Sequence, residues 1–583
     1  MSYGDGTPSK LLEYDKNKRL TRLDFGNVTQ NYAYDDLGNL LIERLRVDDI
    51  DWSLNYLYNS TGNLHRTTYP SGRKVDYHPN ALGQPKYVGS FANSVLFHPG
   101  GQYKSYKQSN GCVNSKTLRS SGLPYIQRTQ CGGTNVVYNQ YSYDANGNLT
   151  YWDDKQSNVY DLRFGYDQLD RLDNIRKSNS TLIGDMNYDS MGNITKFDSI
   201  VGTINYSYNS KKQLQSTSGS RNYDFNYDHR GAVTDNGFHR FNYNLANQMT
   251  EAGGNQYLYD GHNKRVKTND SKGIRYSMYS MLSGKLIQER INGANREYFY
   301  LGQQLVAQLG AGSLTYVHAD ILGTSAAKTN SAGNVTKRIR YAPFGLQWGH
   351  TNAQSGENEI GYTGHKHDAD IGLTYMQARY YDPVIGRFYS SDPKDTASFL
   401  SEGKIQGFNR YVYAANNPYK YVDPDGRDYT ETYISLKIPF VGSVDVGTVN
   451  FTPNASGQGN TTSGAFVRFG TSASNVENGA SKGALKQEPT IKTKGAIAGL
   501  TFGKGAGSHT DANFDDPSAS LDVGAAVATV SIGDFSGTES SASVEIGPSI
   551  GVDTTVSKSL TLTGNDIKQA AQQVADKVKE IIE

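Results

Sequence analysis

The chain has little cysteine, no long apolar run and almost no net charge. Two cysteines, Cys112 and Cys131, stand among 583 residues, which excludes a disulfide-rich scaffold and a four-thiolate zinc ribbon. They lie in a Ser/Asn/Gly-rich insert without metal-ligand spacing. A bond closing that loop is one reading; two free thiols is the expectation for a chain made in a reducing cytosol. No apolar run approaches the roughly 18 residues of a membrane-spanning helix. The opening MSYGDGTPSK has neither the charged nor the apolar region of a secretion signal. The formal net charge is +1, so bulk electrostatics imply neither nucleic acid nor an acidic membrane as partner. Hydrophobic residues make up 36%, too few at this length for one thick core, and an extended sheet wetted on one side is expected instead.

Tyrosine and glycine are abundant: 43 Tyr against 20 Phe, and 62 Gly. Much of the tyrosine sits in a recurring phrase. NYAYDDLGNL (31–40) returns as LNYLYNSTGNL (54–64), YSYDANGNL (141–149) and MNYDSMGNI (186–194), with looser copies such as FGYDQLDRL, INYSYNSKKQL, FNYDHRGAV and YLYDGHNKRV. A period near twenty residues is the mark of a repeat architecture. Within one copy, Tyr32 and Tyr34 fall on one face of a strand and Ala33 on the other. Asp35 to Asn39 then supply side chains that bond the backbone two residues on, and a Gly and an Asn that tolerate positive φ. Each repeat therefore reads as strand, tight turn and returning strand, and stacked copies would set tyrosines in ladders along one continuous sheet.

This Y-x-Y-D-x-x-G-N-L phrase resembles the YD repeat of Rhs proteins, of the C components of insecticidal toxin complexes and of teneurins. The run from Tyr316 to Arg427 resembles the closing segment of the Rhs core, through YVHADILGTSAAKTNSAGNVTKRIRYAPFG, GYTGHKHDADIGLTYMQARYYDPVIGRFYSSDP and NRYVYAANNPYKYVDPDGR. The resemblance covers about residues 10–427. It implies an all-β fold: a spiral antiparallel YD-repeat sheet forming a shell or part of one over 1–315, a core-associated closing segment at 316–427, and a variable C-terminal domain at 428–583 as cargo.

It also implies an aspartic-protease-like self-cleavage after the D-P-x-G motif. The matching positions are Arg379 in QARYYDP, Asp392 in SSDP and Asp423 in VDPDG, with the cut between Arg427 and Asp428. The residue types suit the task, because paired carboxyls do not both ionise easily and a nearby guanidinium biases which one stays charged. Arg427 departs from the Leu or Met usual at its place. Asp382, Asp392 and Asp423 all precede Pro and also fit ordinary turns. In GHKHD, His365 and His367 share a strand face, with Asp368 or Asp370 near in sequence; a family turn is the better reading than a metal site, and no cofactor is implied.

After Arg427 tyrosine becomes scarce and Gly, Ser, Ala, Thr and Val take over, which places a domain boundary there. Alternation in ISLKIPF (434–440), LDVGAAV (521–527) and ASVEI (542–546) predicts strands. GNDIKQAAQQVADKVKEIIE predicts a terminal amphipathic helix capped by Asn565. Gly503, Gly505 and Gly507 do not form a phosphate loop, and His509 with Asp511 or Asp515 is the one base-and-orienter pair on offer. The tail carries no recognisable catalytic motif; strands of this kind also leave membrane action open. Its 583 − 427 = 156 residues would need about 7,000 Å² of surrounding sheet, against about 4,500 Å² that some 420 residues can supply, so the wall falls short of enclosing the tail.

The implied function is that of a polymorphic toxin whose shell shields or delivers a C-terminal effector to a target cell. The implied partners are an immunity protein and a secretion adaptor or further shell component. The implied localisation is secreted or cell-surface, by a type VI or toxin-complex route without a signal peptide or transmembrane helix. The alternative is a non-enzymatic surface or adhesion protein whose tail is a β binding module.

Overall fold

The computed structural model describes residues 3–350, 353–355, 358–394, 399 and 405–431, together with strands lying between 436 and 562. It divides into two compact units, Met1–Tyr433 and Ile434–Glu583.

In the first unit antiparallel strands form three large sheets, each in chain order. Seven strands run from Lys10–Tyr14 to Lys74–Asp76, thirteen from Ala92–Phe97 to Tyr223–Asp224, and eleven from Phe241–Tyr243 to Val335–Arg338. The sheet expected to be continuous is thus parted. The first gap, residues 77–91, contains Pro79 and Pro85, which cannot donate to a ladder.

The repeat phrase folds as its residue types require. In Val28–Tyr34, Tyr32 is buried and Ala33 exposed. Asp35 then accepts the Asn39 amide on Oδ1 at 2.8 Å, and the Gly38 amide bonds the Asp35 carbonyl at 3.1 Å. Gly38 has φ of 89°, a conformation that glycine adopts without strain. Asp189 repeats the device, accepting the Met191 and Asn193 amides at 2.9 Å each and the Asn193 side-chain amide at 3.0 Å.

One element was invisible in the sequence. The strand register slips just before the tyrosine that ends the strand, at Ala33/Tyr34, Leu57/Tyr58, Asn187/Tyr188 and Ser207/Tyr208. Such bulges re-aim a side chain. The phenol then donates to the carbonyl of the residue that opens the preceding strand: Tyr34 to Leu20 and Tyr58 to Leu40 at 2.9 Å, Tyr188 to Leu172 at 2.6 Å, Tyr208 to Ile194 at 2.7 Å. In these repeats the tyrosine that ends the strand acts as a ring-to-backbone hook, because a half-buried phenol needs an acceptor.

Late strands run beside early ones in the same order. Tyr32 meets His262 at 2.8 Å, Tyr56 meets Ser280 at 2.8 Å, Tyr69 donates to the Tyr298 carbonyl at 2.8 Å, and Gln127 donates to the Ala319 carbonyl at 2.7 Å. The wall therefore winds back along itself as a spiral.

From about residue 339 the chain leaves the wall. Strands Lys366–Asp368, Leu373–Tyr375, Tyr380–Asp382 and Arg387–Phe388 form a separate small sheet. Its Tyr375, Tyr380, Tyr381 and Phe388, with Tyr389 and Tyr413, join Tyr141, Leu149, Phe164, Ile194, Phe197 and Tyr257 of the wall in one core. This stretch of wall is filled by the chain's own closing segment.

Two expectations are corrected. Cys112 and Cys131 are disulfide-bonded, not free. The reason is register: Val113 pairs with Gln130, so the next residues outward, Cys112 and Cys131, face each other with Cα atoms 4.2 Å apart. Nor does their surrounding segment interrupt the wall, since Tyr103–Gln108, Val113–Leu118 and Pro124–Cys131 are three of its strands.

In the second unit Leu436–Ile438, Gly442–Phe451 and Thr462–Gly470 form one antiparallel sheet, and Ser518–Val523, Ala526–Ile532, Ala542–Pro548 and Lys558–Leu562 another. The run 521–527, read as one strand, spans the end of one and the start of the next, with Val523 opposite Ala526. The expected helix beginning at Asn565 lies outside the described residues, as do Gly503, Gly505, Gly507, His509, Asp511 and Asp515. Among the described residues no helix is long and apolar enough to cross a membrane.

Candidate active site

Arg379 follows the Leu373–Tyr375 strand and is 3% exposed, its guanidinium 3.6 Å from the centroid of the Phe388 ring. It reaches both expected acids at once. Nη1 lies 2.8 Å from Asp392 Oδ2 and Nη2 lies 2.9 Å from Asp423 Oδ2. Nε donates to the Gly426 carbonyl at 2.6 Å. Three residues up to 47 positions away thus converge on one buried cation.

Each aspartate divides its two oxygens between two tasks. Asp423 Oδ1 accepts the amides of Gly426 at 2.7 Å and Arg427 at 3.1 Å, and Asp392 Oδ1 accepts that of Lys394 at 2.8 Å. The turn reading and the site reading of these Asp-Pro pairs are therefore both realised, one oxygen for each. Asp382 takes no part in this cluster; it accepts the Val384 amide at 2.8 Å and the Tyr389 hydroxyl at 2.9 Å.

Burial pushes the Asp423 carboxyl up to about 7; Arg379 opposes the shift, and Asp425 and Asp392 add to it. Burial also raises Asp392, again against Arg379. Both acids that share this guanidinium therefore resist ionisation.

The segment around Arg427 is held in place. Tyr421–Val422 pairs antiparallel with Thr430–Glu431, so residues 423–429 form the loop of a hairpin. At its turn Gly426 has φ of 77° and a Cβ there would stand 2.2 Å from the Met376 carbonyl oxygen, so only glycine fits against Arg379. Beyond the expected cut, Asp428 pairs with Lys394 at 2.6 Å and the Tyr429 ring packs edge-on to Tyr421.

Sequence reasoning missed three contributors. His365 bonds the Asp423 carbonyl through Nε2 at 2.9 Å. Arg410 accepts the Asp392 amide on its carbonyl at 2.9 Å, while its guanidinium donates to the Asp392 carbonyl. Gly426 was seen only as part of a motif. No local pattern marks His365, whose role depends on a residue 58 positions away. The other metal-suggestive residues are engaged separately: His367 with Thr374 and the Ala353 carbonyl, Asp368 with Arg265 at 2.5 and 2.9 Å, Asp370 with Lys272 at 3.0 Å. They do not converge.

A wound wall of YD hairpins around an inward-folded closing segment defines the class that this chain is similar to, the YD-repeat proteins of the Rhs type. The teneurin YD-shell model matches residues 137–419. Among relatives, human Teneurin-4 is 26% identical over 66% of this chain and 13% of its own length. The tRNA3(Ser)-specific nuclease WapA of Bacillus spizizenii is 27% identical over 45% of this chain and 12% of its own. Toxin subunit YenC1 of Yersinia entomophaga is 26% identical over 31% and 20%. The chain thus spans no more than about a fifth of these relatives. In solved structures the fold is similar to a TcdB2-TccC3-Cdc42 crystal structure (TM-score 0.57, 17% identity, 72% of this chain and 25% of that one). It is likewise similar to the Photorhabdus luminescens Tc holotoxin pore (TM-score 0.56, 17% identity, 74% and 25%).

Proposed function

We propose that this chain is the C-terminal part of a toxin shell that carries residues 428–583 as an effector and cuts the Arg427–Asp428 bond itself. The observation that carries the proposal is Arg379, which binds Asp392, Asp423 and the Gly426 carbonyl together. Neighbouring relatives named as toxin subunit and nuclease support the toxin class. In the proposed reaction the ionised carboxyl of the pair takes a proton from water as the water oxygen attacks the Arg427 carbonyl carbon. The protonated carboxyl hydrogen-bonds the carbonyl oxygen as it gains charge, and a proton passes to the Asp428 nitrogen as the C–N bond breaks. Asp423, raised to about 7, is the proton holder; Asp392 is the base.

Intact mass of the purified full chain tests this. Two fragments meeting at Arg427/Asp428 are expected, with cleavage reduced at least about a hundredfold in Asp392→Asn and Asp423→Asn. A single uncut mass over days would refute self-cleavage. The effector reading is tested apart from it: expression of 428–583 in cytoplasm or periplasm should slow growth. Release would be into a target cell, with an immunity protein protecting the producer and an adaptor or further shell component completing the enclosure and directing secretion.

The teneurin match favours one other reading, a non-enzymatic surface protein with a β binding module. It predicts an uncut chain and a harmless tail that binds a cell surface.

A further inference from the structure

The disulfide lies where two passes of the wall meet. Cys112 and Cys131 form a small core with Val136, Val137, Ala326 and Ala327, the first four from one pass and the alanines from the other. Against them stands His318, fully buried. One ligand atom from each of Cys112, Cys131 and His318 lies within 4.8 Å of the others.

The hydrogen bonding around the histidine is incomplete in an informative way. Nε2 lies 2.9 Å from Thr329 Oγ1, which also accepts the Asn110 side-chain amide at 2.8 Å and stands 3.9 Å from Cys112 Sγ. Nδ1 is buried and has no hydrogen-bond partner. A buried imidazole nitrogen is ordinarily satisfied. In the tautomer that donates Nε2–H to Thr329, the Nδ1 lone pair is free to bind an electrophile, and Thr329 is the outer partner that orients the ring as metal-ligating histidines require.

We propose that Cys112, Cys131 and His318 form a redox-gated site for one zinc ion, closed to metal while the disulfide is intact and opened by a thiol reductant. A dithiol would deliver two electrons and two protons to the sulfur–sulfur bond, leaving two cysteine thiols and its own disulfide. Zinc binding would then displace the two thiol protons, and two thiolates against one divalent ion give a site with no net charge, which suits burial. Two sulfurs and one imidazole are a zinc donor set, with a fourth position for water. The metal would replace the covalent staple at the same seam.

The test uses the full chain, oxidised and after reduction with a phosphine, titrated with cobalt(II) as a spectroscopic substitute and then with zinc. The reduced chain should take up one cobalt ion with thiolate-to-cobalt absorption that zinc abolishes, and the oxidised chain should show none. His318→Gln, which keeps the disulfide and so can be checked for folding before reduction, should weaken binding about a hundredfold, and Cys112→Ser should remove the band. The proposal is overturned if both thiols react with a thiol reagent in the folded reduced chain yet no cobalt band appears. It is equally overturned if His318→Gln binds as wild type does, or if the disulfide yields only on unfolding.

Discussion

The wall and the closing segment handle charge in opposite ways. On the wall many ionic groups sit at the surface in local pairs, as in Arg44 with Asp51 or Lys196 with Asp198, each more than a quarter exposed. In the closing segment charges are buried and joined over long distances: Arg265 with Asp368, Lys366 with Glu289, Arg379 with Asp392 and Asp423. Exposed pairs contribute little and can be changed singly, whereas removing one member of a buried set strands the others. The wall is thus tolerant and modular, and the closing segment behaves as one unit.

The sharpest way to break that contrast is Arg379→Met. It leaves two buried carboxyls without their cation and should cost about 3–5 kcal/mol in denaturant unfolding, while Arg44→Met should change stability by less than about 1 kcal/mol. Equal effects would erase the distinction. Next in size is the loss of a wall turn. Asp189→Ala removes three hydrogen bonds and should cost about 1–3 kcal/mol, with hydrogen exchange rising mainly in the adjacent strands.

A pH profile sharpens the comparison further. Asp423 titrates near 7 when folded and near 3.9 when unfolded, so the folded state binds the extra proton between those values. Its contribution to stability is full below about pH 4, is lost as pH rises toward 7 and is constant above. In the difference between wild type and Asp423→Asn this slope should be visible, and self-cleavage should fall above pH 7 as the proton leaves. The smallest effect belongs to a single hook. Tyr188→Phe loses the bond to the Leu172 carbonyl and should cost about 1 kcal/mol.

Much of the wall was legible because its information is local. A tyrosine phrase, an Asp, a Gly and an Asn decide strand, turn and return within ten residues, and Asp35 and Asp189 do what their chemistry predicts. The bulge before Tyr34 was not legible, since alternation alone cannot show a slip of register. Register also hid the disulfide, because only pairing Val113 with Gln130 reveals that the cysteines face each other. Of the candidate site, Arg379, Asp392 and Asp423 came from resemblance to a family motif; from residue type alone the two acids were turn formers, which they also are. His365 and Arg410 act through backbone atoms far away in sequence, and nothing near them in the chain announces it.

The short ladder of Tyr421–Val422 with Thr430–Glu431 straddles the Arg427–Asp428 bond. A severed peptide there would leave both new ends knitted together across the gap, helped by Lys394 gripping Asp428 from the upstream side. Hydrolysis and escape would therefore be separate events: fragments seen on a denaturing gel should still travel as one particle through a gel-filtration column, until something unzips four residues.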